Sequence, residues 1–124
     1  MKKAPENHPD ESYELICRPG SVPPEADFCL SLSNDCMEPY IKAGEMVCVQ
    51  AIAQVEEFEA AVFLYGGQVY CRQWCQDYSG AVHLLCANPA RQSENITVPA
   101  SRLGELECLG RVLLRGKLPP PVYD

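Results

Sequence analysis

The segment NDCMEPYIKAGEMV at residues 34–47 constrains the fold of this chain more than any other. Pro39 fixes its own backbone and keeps the residue before it out of the helical region, so the chain around Cys36 is held in a turn. Gly44 marks a second turn, and the apolar, β-branched residues that follow it, up to Gln50, are typical of a strand. The sequence therefore predicts that the Cys36 side chain is presented from a rigid loop just ahead of a strand.

The remaining apolar segments are short, separated by turn residues, and typical of an all-β domain with only short helical turns. Turns are predicted at Gly66-Gly67 and Ser79-Gly80. Strands are predicted at residues 13–17, 28–33, 60–65, 68–75, 81–86 and 105–115. In the last of these, one face carries Leu106, Cys108, Val112 and Leu114, whereas Leu109 and Leu113 interrupt the charged opposite face. We expect a homodimer in which these two leucines are buried between subunits.

A chain of 124 residues has the length of one domain. Residues 1–12 are charged and lack periodicity, and they are expected to be a disordered leader or the remnant of a linker. The folded domain is predicted to cover residues 13–117, and the proline-rich residues 118–124 are predicted to be extended.

Charge and cysteine spacing limit the classes of ligand. The net charge of −7 disfavours direct binding of this segment to a phosphate backbone. None of the eight cysteines forms a Cys-x-x-Cys pair, so neither a metal nor another cofactor is expected. No apolar stretch follows the N-terminal lysines, so we expect no signal peptide, no membrane association, a cytoplasmic location and reduced thiols that act as small apolar residues in strands.

The segment at residues 34–47 resembles the pattern GDSMxPxIxxGDxV of the LexA-like, phage-repressor and UmuD-type self-cleaving peptidases. The fold of that family is shared with bacterial signal peptidases. Cys36 stands at the position of the family's nucleophilic serine, and the structural positions around it are matched by Asp35, Met37, Pro39 and Gly44. Later segments at residues 84–89 and 106–114 also resemble the family, so the resemblance covers roughly residues 15–117.

In that family a lysine on a later strand activates the serine, and the matching segment GGQVYCRQW at residues 66–74 places Arg72 at the lysine position. Arginine stays protonated, so it cannot act as a general base, although its charge can stabilise a thiolate. Three interpretations of the Cys36/Arg72 dyad remain open: a degenerate site, a rewired cysteine peptidase, and a thiol-based redox sensor. We expect the first. Trp74 is expected to pack in the core rather than stack on Arg72.

The resemblance implies the C-terminal domain of a bacterial or prophage transcriptional regulator, in which this domain pairs two subunits. DNA would then be contacted by a separate helix-turn-helix domain. The family cleaves an Ala-Gly bond some 35 residues before its nucleophile, which corresponds to a point near Met1 here. The Ala43-Gly44 pair lies inside the motif itself, so we expect no cleavage substrate within this chain.

Overall fold

A computed structural model of the protein describes residues 24–114 and residue 118. These residues form one antiparallel sheet with the strand order β1-β2-β7-β3-β4-β5-β6. The strands are Phe28–Ser31 (β1), Met46–Gln50 (β2), Ala60–Tyr65 (β3), Gln68–Gln76 (β4), Val82–Leu85 (β5), Ile96–Val98 (β6) and Glu107–Val112 (β7). The all-β prediction is confirmed.

Short 3-10 helices at Pro89–Glu94 and Ala100–Glu105 flank β6. Neither these helices nor β6 were predicted, because β6 has three residues and shows too little alternation to be recognised. Within the described part of the chain, no helix is both long enough and apolar enough to cross a membrane. The strand predicted at residues 13–17 and the domain limits at residues 12 and 117 concern parts of the chain outside the described residues.

In the β3–β4 hairpin, the residues of the turn determine the register of the two strands. Gly66 and Gly67 both have positive φ values, 60° and 79°, which a two-residue hairpin turn requires and which glycine adopts without strain. The turn pairs Tyr65 with Gln68, and this register continues to the pair Ala60 and Gln73. The two strands therefore match their predicted positions to within one residue.

Alternate residues of the sheet enter two separate apolar cores, one on each face. In β3, Ala60 and Val62 enter the first core, whereas Ala61 and Phe63 enter the second. The first core also contains Met37 and Ile41 from the loop that follows β1, as well as Leu118. The loop that carries Cys36 is therefore part of the core packing.

β7 differs from the predicted alternation because it contains a β-bulge. Val62 pairs with Gly110 but the next residue, Phe63, pairs with Cys108, so Leu109 is the extra residue. An extra residue inverts the facing of everything beyond it. Cys108 accordingly packs beside the second core, whereas Leu109 packs against the first, and the prediction of a single continuous apolar face is wrong.

Candidate functional site

The nucleophile loop, residues 32–45, joins β1 to β2 and is closed at its base by main-chain hydrogen bonds. The Leu32 N–H donates to the Glu45 carbonyl at 3.0 Å, and the Gly44 N–H donates to the Leu32 carbonyl at 2.7 Å. Gly44 has a φ of 89°, a conformation that favours glycine and explains this residue in the motif. The Glu45 carboxylate also accepts from the Lys42 N–H at 2.6 Å, which fixes the turn.

Within the loop, Met37 and Ile41 anchor the chain by inserting into the first core, where both are fully buried. The Ile41 N–H donates to the Met37 carbonyl at 3.0 Å, so the loop makes a compact turn between the two anchors. Pro39 lies exposed in this turn after a cis peptide bond. Cys36 is the residue immediately before the Met37 anchor and retains only 3% of its surface exposed.

The segment after β5 holds the loop from the other side. The Asn88 N–H donates to the Cys36 carbonyl at 2.9 Å, and the Asn88 side-chain amide donates to the Asp35 carbonyl at 2.9 Å. The Arg91 guanidinium pairs with the Asp35 carboxylate, with Nε 2.8 Å from Oδ1. The hydrogen bond from Arg91 lowers the pKa of Asp35, and its charge adds to this effect. Asp35 is thus ionised and engaged in holding the loop.

Two further thiols, those of Cys71 and Cys86, interact electrostatically with Cys36. Burial raises the pKa of Cys71 to about 12, against an opposing influence of the Arg72 charge. Burial also raises the pKa of Cys86 to about 12; the Arg72 charge again opposes the increase, and a side-chain interaction with Cys36 adds to it. Cys71 and Cys86 are therefore protonated at neutral pH. The sequence did not indicate that Cys86 lies beside Cys36.

Arg72 lies in β4 with 3% of its surface exposed. Its Nη1 donates to the Cys71 carbonyl at 2.9 Å, and the guanidinium lies 5.3 Å from the centre of the Tyr70 ring. Its Nε has no hydrogen-bond partner. Among the described residues no carboxylate forms an ion pair with Arg72. Trp74 packs beside the second core, as expected, and the aromatic ring against the guanidinium belongs to Tyr70.

The two dyad positions are brought into one neighbourhood. Cys36 and Arg72 both act electrostatically on Cys71 and on Cys86, although no hydrogen bond joins Cys36 to Arg72 within the described chain. The residues that sequence reasoning missed are Cys86, Asn88 and Arg91. Asn88 fell in a segment that resembled the family, but nothing in the sequence predicted its contact with a loop more than 50 positions away.

Chemically, the described residues of this site supply positive charge, from Arg72 and Arg91, and thiols. His83, on β5, is engaged elsewhere: its Nε2 lies 2.7 Å from an Asp77 carboxylate oxygen and its Nδ1 lies 3.1 Å from the Thr97 hydroxyl. The described residues contain no grouping of three or more His, Cys, Asp or Glu side chains suited to a metal ion.

No curated protein matches the chain at a significant level. The family model of Peptidase S24-like proteins, in contrast, matches residues 2–113, which is most of the chain. The match includes the nucleophile loop, the segment after β5 that holds it, and the strand that carries Arg72. This chain therefore belongs to the Peptidase S24-like family.

Proposed function

We propose that this domain is a catalytically inactive member of its family that serves a bacterial or prophage transcriptional regulator in the cytoplasm as a dimerisation and regulatory module. The observation that carries the proposal is the burial of the guanidinium of Arg72, a residue that the sequence resemblance aligns with the family's general base.

A self-cleaving mechanism needs a group that takes a proton from the nucleophile and later gives it to the leaving amine. The pKa of arginine is above about 12, so a guanidinium cannot perform the first of these steps. In the hydrogen bond from Arg72 Nη1 to the Cys71 carbonyl this side chain is the donor, and a guanidinium has no acceptor atom.

Two acidic residues among those that the structure describes lie near the site. The Asp35 carboxylate is paired with Arg91, and the hydrogen bond from Arg91 lowers the pKa of Asp35, which weakens it as a proton acceptor. Glu94 acts electrostatically on Cys86 and on Arg91, which makes it the acidic residue to examine if cleavage is found.

The regulatory part of the proposal rests on the family and on charge. A net charge of −7 suits a module that pairs subunits and leaves DNA contacts to a separate domain. The nucleophile loop, its core anchors and the contacts that hold it are all present, which also suits a role in which the loop is a structural element.

A second candidate function is thiol-based sensing at Cys36, and one specific observation favours it. Cys36 interacts with the Cys86 side chain, in a site that also contains the buried guanidinium of Arg72. A buried cation of this kind stabilises a thiolate, which is the form that reacts with oxidants and electrophiles.

The experiment that tests the inactive assignment uses a fusion in which an Ala-Gly-containing segment precedes residue 1. We expect no cleavage of the wild-type fusion between pH 7 and pH 10. The variant Cys36→Ser/Arg72→Lys restores a serine and a titratable amine, and we expect slow cleavage that rises with pH as the lysine loses its proton. Each single substitution serves as a control. Wild-type cleavage that is abolished by Cys36→Ala would instead support the rewired cysteine peptidase.

A further inference from the structure

A pair of cysteines lies at the base of the nucleophile loop, outside the site described above. Cys29 in β1 and Cys48 in β2 are direct partners in the strand register, and their Sγ atoms are 3.1 Å apart. Both side chains are in the thiol form. A disulfide bond is about 2.0 Å long, so these two sulfur atoms are within about 1 Å of bonding distance.

The backbone at this pair has the geometry that a disulfide needs. The bond from the Leu32 N–H to the Glu45 carbonyl marks that pair as hydrogen-bonded, and such pairs alternate with non-hydrogen-bonded ones along an antiparallel ladder. Counting back in the register makes Cys29 and Cys48 a non-hydrogen-bonded pair. The Cα atoms of such pairs are about 4.5 Å apart, within the range of about 4.4–6.8 Å found for disulfides.

The Cys48 carbonyl gives independent support for this assignment. It accepts a hydrogen bond from the Leu113 N–H at 2.9 Å, so it points toward the β7 side of β2 and away from β1. The Cys48 carbonyl therefore does not bond to β1. The Cys29 and Cys48 side chains face each other on one side of the sheet.

The two thiols differ in access. Cys29 is half-buried on the strand at the end of the sheet order, whereas Cys48 has no exposed surface. A reagent from solvent therefore reacts with Cys29 first. Cys48 can then react with the modified Cys29 sulfur.

We propose that Cys29 and Cys48 form a reversible disulfide that fastens the base of the nucleophile loop. The oxidant is a small disulfide. The Cys29 thiol loses its proton, and its sulfur attacks one sulfur of the small disulfide, whose S–S bond breaks and releases one small thiol. The Cys48 thiol then loses its proton and attacks the Cys29 sulfur, which forms the Cys29–Cys48 bond and releases the second small thiol. Two protein thiols are oxidised by two electrons in total, and one small disulfide is reduced to two thiols.

The bond would close a covalent ring from residue 29 to residue 48 that contains the whole nucleophile loop, including Cys36. Closing a ring of this size restricts the unfolded chain and holds the ends of the loop together. Oxidation would thus stabilise the loop without altering any residue of the Cys36–Arg72 neighbourhood, and reduction by a small thiol would release it.

The test equilibrates the folded, full-length protein with oxidised glutathione, blocks the remaining thiols with N-ethylmaleimide, and digests it without reductant. Combined cleavage after Glu and before Asp yields residues 27–34 with Cys29 as their one cysteine and residues 46–56 with Cys48 as theirs. We expect mass spectrometry to find these two peptides joined. Reduction should separate them. The oxidised protein should also melt roughly 5–15 °C higher than the reduced protein.

Cys29→Ser should remove both the joined peptide and the increase in melting temperature. Cys108→Ser changes the other half-buried cysteine in the described chain and should leave both intact. The proposal is overturned if Cys29 and Cys48 remain thiols in the most oxidising buffer while the protein stays folded. It is also overturned if Cys29 is found joined to Cys36, or if the joined protein melts at the temperature of the reduced protein.

Discussion

At the scale of single residues, the unusual group is Arg72, because an ionised side chain with 3% exposure normally has a carboxylate partner. Its Nε has no hydrogen-bond partner, and the side chain lies near a main-chain carbonyl, an aromatic ring and cysteine thiols. Burial raises the pKa of Cys71 and of Cys86 to about 12, so these two thiols are protonated at neutral pH and supply no negative charge to Arg72.

The alkylation rate of Cys36 can be compared with that of Cys71. Cys36 and Cys71 are similarly buried, with 3% and 6% of their surfaces exposed, so access alone gives no reason for them to react at different rates. We expect iodoacetamide to modify Cys36 at least tenfold faster than Cys71 at pH 7, as measured by time-resolved mass spectrometry of the native protein. Arg72→Met should reduce the Cys36 rate and leave that of Cys108 unchanged. Equal rates at Cys36 and Cys71 would remove the basis of the sensing function.

At the scale of secondary-structure elements, β7 depends on a glycine. A Cβ placed on Gly110 would lie 2.4 Å from the Gln50 carbonyl oxygen and 2.5 Å from a methyl group of Val49, so β2 and β7 could not keep their spacing. The bulge beside Gly110 also determines which core each half of β7 contacts. A shift of the strand at Gly110 would therefore disturb the packing on both faces of the sheet.

We therefore predict that Gly110→Ala lowers the free energy of unfolding by about 3 kcal/mol, because an atom is forced into a space occupied by main chain. Gly104→Ala is the matched control, since a Cβ there meets nothing within 4 Å, and it should change stability by no more than about 1 kcal/mol. Urea denaturation of both variants measures the difference. Similar midpoints for the two would show that the sheet accommodates the added methyl group by a small shift.

Sequence reasoning succeeded where structure is determined locally. The Gly66-Gly67 turn and the strands on either side of it follow from neighbouring residues, and so does the Gly44 turn. The bulge in β7 could not be predicted, because it depends on how that strand meets β3. The same holds for the site. The motif spacing indicated Cys36 and Arg72, whereas the contacts of Asn88 and Arg91 with Asp35 span 53 and 56 positions and arise only from the folded sheet.

At the scale of the whole molecule, the prediction to test is self-association. Leu109, one of the two leucines expected at a dimer interface, packs against the first core because of the bulge. Leu113 is half-buried just beyond β7 and is the residue on which the predicted interface can still be tested.

We expect sedimentation equilibrium at micromolar concentration to show a homodimer, and Leu113→Glu to shift it to monomer, because an isologous contact would place two added charges close together. Val69→Glu, at a residue with 57% exposure on the β3–β4 hairpin, is the control and should stay dimeric. Circular dichroism confirms that both variants are folded. A monomeric wild type would contradict the dimer, and a folded, dimeric Leu113→Glu would place the interface elsewhere.

The hydrogen bond from the Asn88 N–H to the Cys36 carbonyl also makes one amide proton a reporter of access to the site. That proton exchanges with deuterated solvent only when the nucleophile loop and the segment after β5 move apart. Because Cys36 is buried while the two are joined, the frequency of this opening sets an upper limit on the rate at which any reagent, peptide or partner reaches the sulfur through that route. Deuterium uptake at a single backbone position thus measures how often Cys36 becomes available for chemistry.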